Sequence, residues 1–442
     1  MTVSNSCDAA QYMAQPNQTA ISDPPPDAPD AASARTVRAA IPRFAVLSSL
    51  ADPTYRWFWF GMLFSFFGMQ MGQVARQWLV YDLTGSSTYL GVVGAGFAVP
   101  VLLLSVLGGV VADRTVKKYL LIATQTITGA VAFTLASFIL FGWIEPWHVV
   151  LSTFLTGTVM AFNMPGRMAL IAELVPNNRI MNAVALNSAG MNFASVFGPS
   201  IAGVMVGLVG IASTYYTYCF MYILSVFCLA MLPRGKANVA TGDVNVGGEV
   251  KAGFAYLKQN RTVGLLMLFA VFPVVFVLPY EVLLPVYARD ILGMGAEGLG
   301  FMMGSLGIGA LAGSIISASL GDVKRKGWLL LVTAFSFGAG LIVFANSQTF
   351  IISAITLAAM GAFRMVFLTL TNASIQLATP NEFRGRIMGV YNMTWGMMPL
   401  GSLPAGFLAD HIGAPAVLTI GGGIMIIATV AFTFSKTIRK LS

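Results

Sequence analysis

Charged side chains are rare inside the long apolar runs of this sequence, but three stand deep within such runs: Arg76, Glu281 and Arg364. An ion in hydrocarbon is costly unless it is paired or hydrated, so such residues mark polar cavities by default. Glu281 is the only acidic residue deep in a run, and a carboxylate beside a movable cation is suited to proton exchange. The structural alternative is a buried salt bridge between Glu281 and one of the two arginines.

Three glutamines accompany Arg76 within the same run. Gln70, Gln73 and Gln77 are spaced i, i+3 and i+7, which places them on one face of a helix. The pattern predicts a polar stripe at which a ligand would meet hydrogen-bonding groups.

The composition is that of an integral membrane protein whose solvent is the lipid bilayer. Residues are 57% hydrophobic and 10% charged, and the mean hydropathy is +0.77. The net charge of +8 does not indicate a nucleic-acid partner, because the basic residues do not share one patch. Cys7, Cys219 and Cys228 have neither the spacing of metal ligands nor that of a disulfide framework, so no metal or cofactor is predicted.

Apolar runs of about 20 residues, the length that crosses a bilayer as a helix, predict an all-α protein with twelve spans. Residues 1–45, rich in Pro, Ala and Ser, are expected to form a disordered cytoplasmic tail. A linker over 234–261 separates two six-helix bundles, 46–233 and 262–436, and 437–442 form a second tail. The predicted spans are 58–81, 88–111, 119–142, 147–166, 180–207, 213–233, 262–288, 297–320, 328–346, 349–373, 385–409 and 414–435.

The distribution of basic residues predicts the orientation. Of the 25 Lys and Arg residues, Arg76 and Arg364 fall within spans, Arg289 alone falls outside, and the other 22 fall on segments predicted to be cytoplasmic. This asymmetry is expected for a multi-pass protein of the inner membrane with both termini in the cytoplasm.

The two halves are copies of one unit. The segment 109–118 carries Gly109, Asp113, Arg114 and Lys117, and a similar segment with Gly321, Asp322 and Arg325 follows 209 residues later. Two further repeats match 90–91 with 299–300 and 198–203 with 401–406. An acidic residue before a basic cluster in a tight turn predicts a latch on one membrane face, in a protein that moves between two states. The alternative is that both turns only anchor the topology.

From about residue 50 to 436 the chain resembles the major facilitator superfamily. The first latch is similar to that family's loop between helices 2 and 3, with Val116 where glycine is usual. The resemblance implies that Asp113 caps the start of helix 11, near 382–386, in the outward-facing state. A carboxylate there meets free N–H groups and the positive end of the helix dipole. By symmetry, Asp322 is expected to cap helix 5 near 179–182.

The fifth span resembles the family's antiporter motif, with three alanines in place of glycines. Small residues at this spacing form a smooth face on which a neighbouring helix slides, and the resemblance implies export. Ordinary small-residue packing is the alternative. The motif residues are Ala185, Ala194, Gly198, Pro199, Ala202 and Gly203.

Further sequence similarity is to the drug and siderophore exporter branch, which includes enterobactin and macrolide efflux proteins; the segments are 78–86, 163–167 and 173–176. In the family, helices 1, 4, 7 and 10 line the central cavity. The resemblance therefore implies a substrate cavity with Gln70, Gln73, Arg76, Gln77, Glu281 and Arg364, in which Glu281 carries the proton. Helix 4 lacks the family's central arginine, since Met160 lies there, and Arg364 is expected to replace it.

The function expected is proton-coupled efflux of a bulky amphipathic small molecule by a monomeric transporter. An uptake symporter of the same fold is the nearest alternative. An intramembrane enzyme would need a nucleophile with its base, clustered metal ligands or paired carboxylates at membrane depth, and the sequence shows none of these patterns. A sensor that does not transport is expected to have lost the latches.

Overall fold

The computed structural model describes residues 49–176, 179–233, 255–319 and 325–435. Within these ranges the regular structure is helical, and it forms the twelve spans that the sequence predicts. They are α1 (Pro53–Thr84), α2 (Ser87–Arg114), α3 (Lys117–Leu140), α4 (Pro146–Leu174), α5 (180–209), α6 (211–230), α7 (Arg261–Ile291), α8 (Ala296–Ser319), α9 (Lys326–Ala345), α10 (Phe350–Ala378), α11 (381–412) and α12 (Ala414–Thr433).

Several sequence predictions concern residues outside these ranges. They are the tail 1–45, the linker up to residue 254, the second latch at Gly321 and Asp322, and the tail 437–442. The described end of the linker packs on the second bundle, where the rings of Tyr256 and Phe383 stack with centroids 4.7 Å apart.

Length and hydropathy alone would assign nine spans to the described residues. One of the nine, Ile180–Ala230, contains a reversal at Gly210, where φ is 86°. Glycine adopts this left-handed conformation without steric cost, so α5 and α6 are joined by a turn of a single residue. Dividing this span gives ten. The two spans that length and hydropathy miss are α1, which carries the glutamine stripe, and α11, which is built from three shorter helical pieces.

Helix ends alternate between two ends of the molecule. The basic end contains the α2–α3 and α4–α5 turns and the starts of α7, α9 and α11; we call the other the opposite end. Side chains cap two helix starts at the basic end: Asp52 accepts from Thr54 N at 2.7 Å, and Asn260 accepts from Thr262 N at 3.1 Å. At the opposite end, glycines with positive φ make the turns short: Gly85, Gly142, Gly210, Gly293 and Gly413.

The outer faces of the helices suit a hydrocarbon environment. Leu103, Ile351 and Ile427 are 67–70% exposed, which would be unfavourable in water but matches contact with lipid tails. Trp143 and Trp147 are exposed at the opposite end of α3 and α4, the depth at which aromatic belts sit.

The α7 helix is irregular where it carries the charged residue of the sequence pattern. Prolines at 273, 279 and 285 remove N–H donors, and the residues 273–277 and 287–291 adopt π-helical turns. Leu278 N donates to Pro273 O at 2.8 Å, one residue farther back than in an α-helix. Glu281 follows this break, in a short α-helical piece between the two π turns. Such bulges often accompany functional sites in helices.

The two bundles, α1–α6 and α7–α12, meet through pairs of helices related by the internal repeat. A Cβ built on Gly91 of α2 would lie 2.6 Å from Ser402 O of α11. A Cβ built on Gly300 of α8 would lie 2.5 Å from Pro199 O of α5. Both contacts join segments that the sequence matches as repeats. Only glycine allows these backbones to approach so closely.

These crossings lie toward the opposite end, while α2 and α11 separate toward the basic end. A Cβ built on Gly109 of α2, or on Gly385 or Gly389 of α11, would have no atom within 4 Å among the described residues. The described arrangement is therefore closed at the opposite end and open at the basic end.

Candidate functional site

A cavity of about 280 Å³ lies between the two bundles. It brings together residues of α1, α5, α7, α8 and α10, including four of the six residues predicted to line it. These four are Gln70, Gln73, Glu281 and Arg364.

Within this cavity the Glu281 carboxylate and the Arg364 guanidinium form an ion pair, in which Arg364 Nη1 donates to Glu281 Oε1. The side chains are 17% and 27% exposed, so the pair is mostly but not fully removed from solvent. The Arg364 guanidinium also lies 5.9 Å from the Trp395 ring centroid. Of the partners that the sequence allowed for Glu281, the structure selects Arg364. Pairing makes both charges tolerable at membrane depth, and losing either partner would leave the other uncompensated.

A wider cavity of about 690 Å³ adjoins the first and extends toward the basic end. Met365 and Leu368 of α10 line both cavities. Polar side chains of α10 and α11 line the wider one, and Gln376 Nε2 donates to Asn372 Oδ1 at 2.6 Å. The two cavities together form a path from the open end to the ion pair.

The other two predicted cavity residues lie elsewhere. Arg76 points into the first bundle, where its Nη1 donates to Thr156 Oγ1 of α4 at 3.1 Å, and it lines a separate, smaller cavity. Gln77 lines none of these three cavities, and its Oε1 is buried without a hydrogen-bond partner among the described residues. The predicted stripe is thus divided between two sides of α1.

Arg167 corrects the sequence prediction most clearly. The sequence ends the fourth span at residue 166 and places Arg167 in the cytoplasm, but α4 continues to Leu174. The Arg167 side chain is only 4% exposed, its Nη2 donates to Asn163 Oδ1 at 2.8 Å, and its guanidinium lies 4.5 Å from the Phe66 ring centroid. A fourth buried charge therefore belongs to the membrane interior. Asn163 lies one helical turn before it, but this spacing alone does not distinguish a buried arginine from one that reaches the membrane surface.

At the opposite end, side chains join the bundles where α1 meets α7. The Tyr81 hydroxyl donates to Asp290 Oδ2, and Arg289 Nη1 donates to Asp82 Oδ1 at 3.2 Å. The second pair is exposed and contributes little on its own.

Asp410, one residue beyond the predicted span of α11, caps the start of α2 across the bundle interface. Its carboxylate accepts from Ser87 N at 2.6 Å, from Thr88 N at 3.0 Å, and from the Ser86 and Thr88 hydroxyls at 2.7 and 2.6 Å. These hydrogen bonds to an ionised acceptor are of the strong, charge-assisted kind. Asp410 stands outside every motif recognised in the sequence.

The first latch is divided in this structure. Lys117 is buried and pairs with Glu173 of α4 at 2.9 Å, inside the first bundle. Asp113 and Arg114 are exposed, and Asp113 has no hydrogen bond or ion pair with any described residue. The start of α11 follows Pro380 and has no side-chain cap. In the second latch Arg325 is exposed and precedes α9, without a side-chain cap to it.

The predicted antiporter motif forms a buried face of α5 with one exception. Ala194, Gly198, Pro199, Ala202 and Gly203 are buried, whereas Ala185 is exposed. A Cβ built on Gly198 would lie 2.8 Å from Gln70 Cβ of α1, and one on Gly203 would lie 2.5 Å from Ala296 O of α8. The small residues thus hold α5 between its own bundle and the other.

The chain matches the family model described as transmembrane secretion effector over residues 44–441. It belongs to the major facilitator superfamily. It is 26% identical to the staphyloferrin A transporter of Staphylococcus aureus, across 87% of this chain and 97% of that protein. It is 21% identical to macrolide efflux protein A of Streptococcus pyogenes, across 87% and 96%. It is 23% identical to the multidrug efflux pump Tap of Mycolicibacterium fortuitum, across 83% and 92%.

Two solved structures show the same fold. The nucleoside transporter NupG superposes with a TM-score of 0.66 at 14% identity, covering 87% of this chain and 99% of that one. A D-xylose-proton symporter superposes with a TM-score of 0.66 at 14% identity, covering 88% and 98%. The chain is therefore a multi-pass membrane transporter of the major facilitator type, and the predicted family and fold are confirmed.

Proposed function

We propose that this transporter exports a bulky amphipathic small molecule, such as a drug or a siderophore, in exchange for protons. The observation that carries the proposal is the Glu281–Arg364 ion pair on the wall of the inter-bundle cavity. It is the one paired carboxylate at membrane depth among the described residues, and the wider cavity leads to it from the basic end. We place the protein in the inner membrane, with the basic end and both termini on the cytoplasmic side.

Proton exchange at this pair follows from its charges. With the basic end open, Glu281 is ionised and holds Arg364, and substrate enters from the cytoplasm. After the cavity opens outward and releases the substrate, a proton binds a Glu281 oxygen, removes its charge and weakens its hold on Arg364. The return to the inward state delivers that proton to the cytoplasm, where the pair forms again. Each inward charge contributes about 2.3 kcal/mol per 100 mV of membrane potential, before any pH difference is added.

Export is favoured over uptake by two observations. The α5 face of small residues resembles the antiporter motif, and relatives that match along nearly their whole length are named efflux proteins. The wall between the bundles includes Met303 and Leu306 beside Gln70 and Gln73, which suits a ligand with both apolar and hydrogen-bonding parts.

Everted membrane vesicles test the proposal, because export then appears as accumulation inside the vesicle. The wild type is expected to concentrate a fluorescent amphipathic dye or a siderophore when respiration acidifies the interior, and to lose the substrate when the proton gradient is collapsed. Glu281→Gln should abolish this accumulation but keep substrate counterflow without a gradient, since glutamine removes the titrating group and preserves the side chain's size.

Glu145→Gln is the matched control. Glu145 lies at the opposite end, where its side chain is exposed and its backbone N donates to His148 Nδ1 at 3.0 Å, a contact that a change to glutamine leaves intact. Accumulation should survive in this variant. If Glu281→Gln still concentrates the substrate, proton coupling lies elsewhere. Accumulation in right-side-out vesicles under an inward proton gradient would instead establish an uptake symporter.

A further inference from the structure

The first bundle contains a small, partly open cavity of about 40 Å³ that the mechanism above does not use. Two arginines line it, Arg76 from α1 and Arg167 from α4, together with hydroxyl-bearing residues of α1, α3, α4 and α6. No carboxylate lines it. The hydroxyl-bearing residues are Ser65, Thr128, Thr156, Tyr218 and Tyr222.

The positive charge in this cavity has no internal counter-ion among the described residues. Glu281 is paired with Arg364, and Glu173, the acidic residue of α4, is paired with Lys117. Arg76 and Arg167 form no ion pair with any described residue. A buried charge without a partner lowers the stability of the fold. A bound ligand that supplies the opposite charge would remove this destabilisation.

The donors of Arg167 point to a ligand. A guanidinium carries several N–H donors, yet the described residues give Arg167 a single acceptor, Asn163 Oδ1. Its Nε is buried and has no hydrogen-bond partner, in a side chain only 4% exposed. Buried polar groups are normally satisfied, so this Nε indicates an acceptor that the chain itself does not provide. Asn163 is fixed in turn by Thr124 Oγ1, to which its Nδ2 donates at 2.8 Å, so its oxygen is oriented toward Arg167.

The cavity accepts a small group rather than a whole substrate. A cavity must offer about 10–15 Å³ for each water-sized atom, so 40 Å³ admits about three heavy atoms, the size of a carboxylate. Planar guanidinium groups bind carboxylate and phosphate oxygens in pairs of hydrogen bonds. The small cavity also lies next to the transport path. Met69 of α1 lines the small cavity, and its neighbour Gln70 lines the cavity between the bundles.

From this geometry we infer that Arg76 and Arg167 form an anion-binding subsite for a carboxylate or phosphate arm of the transported molecule. The substrate class is then amphipathic anions rather than cations. This assignment of substrate class rests on the proposed transport function, but binding of an anion between the two arginines does not depend on it.

Equilibrium binding to the purified protein tests the inference. The protein is placed in nanodiscs of zwitterionic phosphatidylcholine, which exclude anionic headgroups, and titrated with citrate and with inorganic phosphate. Saturable binding of at least one anion is expected, and Arg76→Gln and Arg167→Gln should each weaken it about tenfold or more, because each removes charge-assisted hydrogen bonds. Arg56→Gln is the matched control, because Arg56 is also on α1 but is exposed. Its affinity should equal that of the wild type.

A second variant does not depend on the folding of the arginine mutants. Met160 lines the same cavity, and Met160→Glu places a carboxylate beside the two arginines. This variant should raise the thermal midpoint of the ligand-free protein and abolish anion binding, because it provides the missing counter-ion internally. If the two arginines had a purely structural role, citrate or phosphate would not raise the thermal midpoint of the wild type.

Each contrary result overturns the inference. The inference is wrong if neither anion binds the wild type saturably. It is also wrong if both anions bind equally well after the two arginine substitutions, or if both bind Met160→Glu as tightly as the wild type. If saturable anion binding appears only in nanodiscs that contain the anionic lipid phosphatidylglycerol, the subsite holds a lipid headgroup and not a substrate arm. Failure of the export proposal is separate: it appears as loss of gradient-driven accumulation, which these titrations do not measure.

Discussion

At the scale of single residues, the Glu281–Arg364 pair should show strong energetic coupling. Arg364→Gln leaves an uncompensated carboxylate in the cavity, whereas the double replacement with Glu281→Gln leaves none. The double variant should therefore be more stable than the sum of the single effects predicts, by about 1–3 kcal/mol. The measurement is the free energy of unfolding in mixed detergent micelles, near neutral pH, for all four proteins of the cycle.

The Arg289–Asp82 pair is the internal control for that cycle. Its nitrogen and oxygen are 3.2 Å apart, but the side chains are 45% and 49% exposed. Water screens such a pair, so its coupling should stay below about 1 kcal/mol. Equal coupling in both pairs, or none at Glu281, would show that the cavity pair has no special role in stability.

Single charged residues were predictable where they stand far from the ends of apolar runs. Glu281 and Arg364 could be singled out, and their pairing was one of the alternatives that the sequence allowed. Arg167 could not, because a basic residue near the end of a run can either reach the membrane surface or turn inward. The neighbours of Arg167 on other helices decide this, and a pattern along one chain does not contain them.

At the scale of helices, the crossing of α2 and α11 should respond to one methyl group. A Cβ on Gly91 would lie 2.6 Å from a backbone oxygen, which cannot move aside cheaply. Gly91→Ala should therefore destabilise the described arrangement by about 1–3 kcal/mol and open its closed end. A single cysteine at Val93, which is 5% exposed, should then be labelled several-fold faster.

Gly423→Ala in α12 is the control for that substitution, because a Cβ there would have open space on every side within 4 Å among the described residues. Labelling at Val93 should not change in this variant. If Gly91→Ala also leaves it unchanged, the close crossing does not hold the opposite end shut.

The number of helices followed from the sequence because apolar length and the internal repeat both report on it, whereas the contacts between the bundles did not. The repeat matched 90–91 with 299–300 and 198–203 with 401–406, and the structure brings each of these segments into contact with a segment of the other bundle. The π turns of α7 were harder to predict from the sequence. Prolines at 273, 279 and 285 indicate a break, but whether the backbone bends, tightens or widens depends on its neighbours.

At the scale of the whole molecule, Asp410 should hold the opposite end closed. Asp410→Asn removes a charged cap from α2, worth about 0.5–2 kcal/mol, and only in the described arrangement. The variant should open the outer side several-fold more often, measured by labelling at Val93 in a background without Cys7, Cys219 and Cys228. Asp52→Asn is the control, since Asp52 caps α1 within its own bundle. The labelling should not change in this variant.

The first latch predicts the opposite shift. Asp113 has no hydrogen bond or ion pair with any described residue, and the resemblance to the family implies that it caps α11 only after the basic end has closed. Asp113→Asn should then stabilise the population that is open at the basic end several-fold relative to the other state, slow transport, and leave the folded yield unchanged. The measurement is faster labelling of a single cysteine at Asn372, which lines the cavity at the basic end, with slower labelling at Val93.

Together the two aspartates should act as opposing caps on the antiparallel pair α2 and α11. Asp410, near the end of α11, caps the start of α2 in the described arrangement, and Asp113, near the end of α2, is expected to cap the start of α11 in the other. The two sites lie at opposite ends of the molecule, so their effects should add. The double variant Asp113→Asn with Asp410→Asn should therefore return the labelling ratio of the two sides to within about twofold of the wild type. A double variant that labels like Asp410→Asn alone would show that the first latch orients the chain during insertion and does not set the balance between states.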